Sequence, residues 1–120
     1  MSLMKPWYRG KNKENNRWVY GWYFEIDNIP YIITKDNETF QIDITTLGLC
    51  TGRLDLNDCR LCEGDVISDG SKLYQILFDY DQAGFVFKDK KRTTYTFSEI
   101  YGRGIRLFSN IHDSPHHMMA

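Results

Sequence analysis

Thr51-Gly52-Arg53-Leu54-Asp55-Leu56-Asn57-Asp58-Cys59-Arg60-Leu61-Cys62-Glu63-Gly64-Asp65-Val66-Ile67 reads as a turn, a short strand, a second turn ending Glu63-Gly64-Asp65, and the opening of a new strand. Gly52 and Asn57-Asp58 bracket the short segment, because Gly, Asn and Asp tolerate left-handed backbone. Downstream, Asp69-Gly70-Ser71 turns the chain into a strand over 73–80, with Tyr74, Ile76, Phe78 and Tyr80 on one face. Turn residues then separate strands over 85–88, 93–97 and 105–111, with a capped helical turn over 98–101 that Ser98 is expected to start. From Asp65 onward the pattern is a meander of about five strands, as a small SH3-like barrel requires.

Upstream, 7–17 mixes aromatic, basic and turn residues. Trp18 to Ile26 then reads as a long strand with Trp18, Tyr20, Trp22 and Phe24 on one face. Asp27-Asn28-Ile29-Pro30 is a turn, and strands follow over 31–34 and 39–44, joined by a hairpin at Asp36-Asn37. No segment keeps a helical period over a dozen residues, and no internal repeat or low-complexity stretch is visible. Composition agrees. Three Trp, eight Tyr and seven Phe favour strands, while Ala, the best helix former, occurs only at Ala83 and Ala120. The expected fold is all-β and mainly antiparallel, with an N-terminal β region packed on a small SH3-like C-terminal barrel. A single domain spans 1–120, made of a β subregion over 5–47, a barrel over 52–113 and a loose tail over 113–120. The aromatic strand Trp18 to Phe24 is expected to supply the core, with Trp18 and Phe78 as heavily buried rings.

The 120 residues suffice for one modest core, and the formal charge of −1 gives no global field toward nucleic acid or membrane. No run of about 18 apolar residues suggests a membrane span. No signal peptide is expected, and Met1 to Leu3 reads as an expression leader ahead of Met4. Three cysteines, two of them only three apart, suit reduced thiols better than a disulfide scaffold.

Four constellations could carry chemistry. Cys59-x-x-Cys62, with Cys50 and His112, has half of a zinc spacing but no second pair, and on a strand the two thiols face opposite sides. The bland reading, a buried Cys62 and an exposed Cys59, is preferred, and no metal or cofactor is expected. His112, His116 and His117 fall near or in the loose tail, without the rigid shell a ligand needs. Glu63 and Asp65 could pair as acid and base, but Asp65 after Gly64 is a natural acceptor for backbone N–H groups. Finally, Lys5, Arg9, Lys11, Lys13 and Arg17 interleave with Trp7, Tyr8 and Trp18, and Lys88, Lys90, Lys91 and Arg92 form a second basic turn. Cations that follow phosphates beside rings that stack on bases are what nucleic-acid binding uses. The alternative is an aromatic core with a solvated charged hairpin. The candidate nucleic-acid residues are Trp7, Arg9, Lys11, Lys13, Lys90, Lys91 and Arg92.

The chain resembles the YopX family, small proteins encoded mainly in phages and prophages of Gram-positive bacteria. Three ordered elements carry the resemblance. They are Tyr8-Arg9-Gly10-Lys11 with Arg17-Trp18-Val19-Tyr20-Gly21-Trp22, the central stretch from Thr51-Gly52 to Glu63-Gly64-Asp65-Val66, and the closing Ser109-Asn110-Ile111-His112-Asp113-Ser114-Pro115. Asn57-Asp58, Cys62 and Ser109 depart from the family's common residues. The resemblance implies a mainly antiparallel β fold and a phage or prophage origin, and the cysteine usage suits the reduced cytoplasm of the bacterial host. It brings no catalytic residues. The expected function is a non-catalytic accessory or interaction module that binds an unknown protein partner or itself. The alternative is a nucleic-acid-binding module using the basic and aromatic turns.

Overall fold

A computed structural model describes residues 7–118. The proposed leader Met1–Leu3 and the basic residue Lys5 lie outside the described residues. The protein is antiparallel β throughout, apart from one short helix and a final 3-10 turn. It forms two compact units that divide after Gly52.

In the first unit the strands are β1 (Tyr8–Asn12), β2 (Trp18–Ile26), β3 (Ile29–Ile33) and β4 (Thr39–Leu54), the last running past the unit's end. β1 pairs with both β2 and β4, while β3 bridges β2 and β4, so the four strands close on themselves. β1 covers β2 only over Trp18–Gly21, so Trp22–Ile26 pair with β3 alone. The β2–β3 hairpin turns on Asp27 and Asn28, both at positive φ, between paired Ile26 and Ile29. That is the backbone a two-residue hairpin with right-handed strand twist needs. Gly21 is required by contact: a Cβ there would lie 2.0 Å from the carbonyl oxygen of Ile33.

The core of this unit corrects the expected face. Val19, Ile32 and Ile42 are buried, with Tyr8, Tyr23, Phe40 and Leu47 packed around them. The inward face of β2 is thus the odd-numbered one. Trp22 is exposed and sits against Trp7, and Phe24 stacks on Tyr31. Space rather than ring size sets the face, because the inward positions Gly10 and Gly21 have no room for a side chain. A Cβ on Gly10 would meet Ile42 at 2.7 Å.

The second unit contains β5 (Arg60–Cys62), β6 (Asp65–Ser68), β7 (Leu73–Asp79), β8 (Gly84–Lys88), β9 (Thr94–Thr96), α1 (Phe97–Tyr101) and β10 (Arg106–Asn110). Five of these strands form one sheet in the order β10-β6-β7-β8-β9, which places the last strand beside β6. Leu61, Ile67, Tyr74, Ile76, Phe87, Ile100 and Ile105 make the core. Burying a ring such as Phe87 is worth roughly 2–3 kcal/mol. The expected inward face of β7 holds for Tyr74 and Ile76. Phe78 is only partly buried and Tyr80 is 81% exposed, because the sheet runs out at that end. The helix cap is Thr96, not Ser98: its hydroxyl accepts the Glu99 N–H and the Glu99 side chain reaches back, a full capping box.

The tail is not loose through residue 118. Pro115–Met118 forms a 3-10 turn, Met118 is buried, and His117 bonds Ser109 on β10. Cys59 is an exposed free thiol, as expected. Cys50 and Cys62 are buried and disulfide-bonded, which corrects the reading of reduced thiols at those two positions.

Three loops share one geometry although their sequences differ: Thr34 to Glu38, Asp55 to Cys59, and Asp89 to Thr93. In each, the first residue's side-chain oxygen accepts N–H groups from the third and fifth residues. Its carbonyl accepts the fourth N–H, and its own N–H donates to the fifth carbonyl. The fourth residue is left-handed in all three: Asn37 at φ 64°, Asp58 at 62° and Arg92 at 67°. A turn followed by one left-handed residue is a common way to close a three-residue hairpin loop.

Candidate functional site

Two loops project from one end of the second unit's sheet. The β6–β7 turn follows the Ser68↔Leu73 pair, and the β8–β9 loop follows Lys88↔Thr94. Since Gln75 pairs with Lys88, both loops leave the sheet at about the same level. Each is closed by a buttressed aspartate. The Asp69 carboxylate accepts the N–H groups of Ser71 and Lys72, both at 2.9 Å, the Tyr74 hydroxyl at 2.9 Å and an Arg103 N–H at 3.3 Å. Burial alone would raise its pKa. These donors outweigh burial and hold it at about 2. Asp89 accepts the N–H groups of Lys91 and Thr93 and the Tyr95 hydroxyl, each at 3.0 Å. Its pKa is also lowered: burial opposes, and the Thr93 N–H and Tyr95 hydroxyl lead the groups that overcome it. Tyr74 and Tyr95 meet edge to face with centroids 5.5 Å apart, so one aromatic pair braces both loops.

Between the loop tips lies a cavity of about 320 Å³ lined by Ser71, Lys72, Leu73, Asp89, Lys90 and Lys91. Lys72, Lys90 and Lys91 are exposed, whereas Asp89 is buried. The Lys72 ammonium stands 3.9 Å from the Asp89 carboxylate, at the outer limit of an ion pair. Three lysines therefore line a cavity with one carboxylate, whose oxygens already accept three stronger bonds. The concavity is positive, and the aliphatic stems of the lysines give it apolar walls.

The seven residues singled out by sequence divide between the two units. Lys90 and Lys91 line this cavity, and Arg92 occupies the left-handed position of the loop beside it. In the first unit Arg9 and Lys11 lie on β1 with only 3% and 7% of their surface exposed. Their cations sit 4.3 and 5.4 Å from the centroid of the Trp18 ring, so they are used in packing rather than presented to a ligand. Trp7 packs on Trp22, and Lys13 is exposed after β1 with its N–H donated to the Gln41 carbonyl. Sequence reasoning missed Ser71, Lys72 and Leu73. The signal was the Asp69-Gly70-Ser71 turn, which brings Lys72 to the strand end, but the pairing of β7 with β8 is a long-range fact.

The remaining constellations have structural uses. The fully buried Asp65 carboxylate accepts the Cys62 N–H at 2.7 Å, as its place after Gly64 suggests. Asp55, also buried, accepts N–H groups of Asn57, Cys59 and Leu107. Among the described residues no group of three or more His, Cys, Asp or Glu side chains is placed to hold a metal ion. Nor is any described helix long and apolar enough to cross a membrane. No protein-family model matches the chain, and no curated protein matches its sequence.

Proposed function

We propose that the protein is a non-catalytic interaction module of the YopX type, encoded by a phage or prophage. The three ordered sequence elements support the family and the setting. In this reading the second unit is an SH3-like barrel, supported by the strand order in which β10 returns to the side of β6. The observation that carries the non-catalytic reading is the fate of the acids. Asp55, Asp69, Asp89 and Glu99 all have lowered pKa values: burial opposes the shift in the three aspartates, and backbone N–H groups, led for Asp55 by that of Leu107 on β10, help hold each as a carboxylate. An acid poised for proton transfer is tuned the opposite way, toward neutrality. The proposed partner is a second copy or another protein. Sedimentation across a concentration series tests self-association. Apolar association should persist at high salt, and a monomer at every concentration overturns the second-copy form of the reading.

A second reading, nucleic-acid binding, is favoured by one observation: Lys72 joins Lys90 and Lys91 around a single concavity. Binding to labelled single- and double-stranded oligonucleotides should then fall steeply with salt. No binding at low salt removes this reading.

A further inference from the structure

We infer that the cavity between the β6–β7 and β8–β9 loop tips is a phosphate site, with Lys72, Lys90 and Lys91 as its cations and Ser71 as its hydroxyl donor. The inference rests on the second reading above and narrows it. It adds Ser71 and Lys72, and it leaves out Arg9 and Lys11, which are buried against Trp18.

Charge provides the first argument. Lys72, Lys90 and Lys91 gather at one cavity whose single carboxylate, Asp89, is already bonded by the Lys91 and Thr93 N–H groups and the Tyr95 hydroxyl. Like charges held together repel, and an anion placed among them relieves that repulsion. The second argument is rigidity. Both rims are fixed by aspartates bonded to the edge-to-face pair Tyr74 and Tyr95, so the lysine backbones need not be ordered on binding. Size gives the third. About 320 Å³ is at the small end of ligand pockets, larger than a phosphate group alone and suited to a single nucleotide. The backbone N–H groups of Lys72 and Lys91 are taken by the aspartates, so recognition falls to side chains. Lysines contact phosphate as point charges without reading a base, so sequence preference should be weak. The phosphate could arrive free, on a mononucleotide, or as one link of a single strand.

The test uses the full chain and three probes: inorganic phosphate, a mononucleotide and a labelled oligothymidylate. Amide NMR shifts report where each probe binds, and fluorescence anisotropy across a salt series reports affinity for the oligomer. Shifts are expected at Ser71, Lys72, Lys90 and Lys91. Lys90→Ala/Lys91→Ala should weaken binding at least tenfold and reduce the slope of log affinity against log salt by about 1.4 for a single strand. Lys35→Ala, at an exposed site in the first unit, is the control and should change neither. Response to all three probes supports a site that accepts a strand, whereas response to the two small probes alone supports a free-ligand site. Oligomer binding that the Lys90/Lys91 variant retains in full overturns the site while leaving nucleic-acid binding standing. No response to any probe at low salt overturns both.

Discussion

Removing the Asp55 carboxylate should unfold the second unit at much lower denaturant. Asp55 is 6% exposed, and its two oxygens serve different parts of the unit. One accepts the N–H groups of Asn57 and Cys59, both at 2.8 Å, and closes the loop before β5. The other accepts the Leu107 N–H at 2.7 Å and pins β10 to that loop. Asp55→Ala leaves three N–H donors without this acceptor. A hydrogen bond to a charged group contributes roughly 1.5–3 kcal/mol net. The loop residues are exposed enough for water to satisfy part of the loss, so the expected cost is about 3–4 kcal/mol rather than the full sum. Asp55→Asn separates the two roles: its carbonyl can still close the loop, but its NH2 would then face the Leu107 donor. We expect about 2–3 kcal/mol for Asn. Urea unfolding gives both values, and amide exchange at Leu107 should accelerate in both variants. The pH dependence has a definite sign. The folded pKa is lowered, with burial opposing and the Leu107, Cys59 and Asn57 N–H groups prevailing. The carboxylate's contribution is present above the unfolded pKa and lost as pH falls through the folded one, so the gap between wild type and Asp55→Asn should narrow in acid. An Asp55→Ala protein within 1 kcal/mol of wild type would refute the assigned role.

Other outcomes follow from the same structure. Gly21→Ala drives a methyl group into the Ile33 carbonyl and should cost about 3 kcal/mol or prevent folding, read by thermal melting; a normal melt would contradict the β2–β3 approach. Arg92→Gly relieves a left-handed φ of 67° and should stabilise by about 1 kcal/mol in urea. Asp69, held at about 2, should contribute about 2 kcal/mol above pH 4 that disappears between roughly pH 4 and 2; Asp69→Asn should flatten that part of the stability profile. A thiol-reactive reagent should titrate Cys59 alone in the unreduced protein, and all three cysteines after reduction and unfolding.

The all-β class was legible because turn residues recur at strand spacing and alanine is nearly absent. β2 was read to its ends, since Trp18 and Asp27 mark a change from turn to strand chemistry and back. Its face was misjudged because ring size was taken as a proxy for burial. Inside a tightly closed set of strands, Gly10, Val19 and Gly21 fit where Trp22 does not. β1 was hidden because Arg9 and Lys11 look like surface cations, and only their stacking on Trp18 explains their burial. β4 continues past Ile44 through Leu54, and nothing local in 45–51 announces it. For the candidate site, Lys90 and Lys91 were found as a charged turn. Lys72 was not, because only the β7–β8 pairing sets it beside them.

The recurring five-residue loop divides the labour among its positions. The first residue supplies the oxygen, the fourth takes the left-handed backbone, and the side chains of the second and third are left with no part in the frame. Those tips read Lys35-Asp36, Leu56-Asn57 and Lys90-Lys91. The loop is thus a socket whose displayed pair can be exchanged without touching the joint that holds it. Charge can be written or erased on this surface two residues at a time, at little cost to the strands beneath.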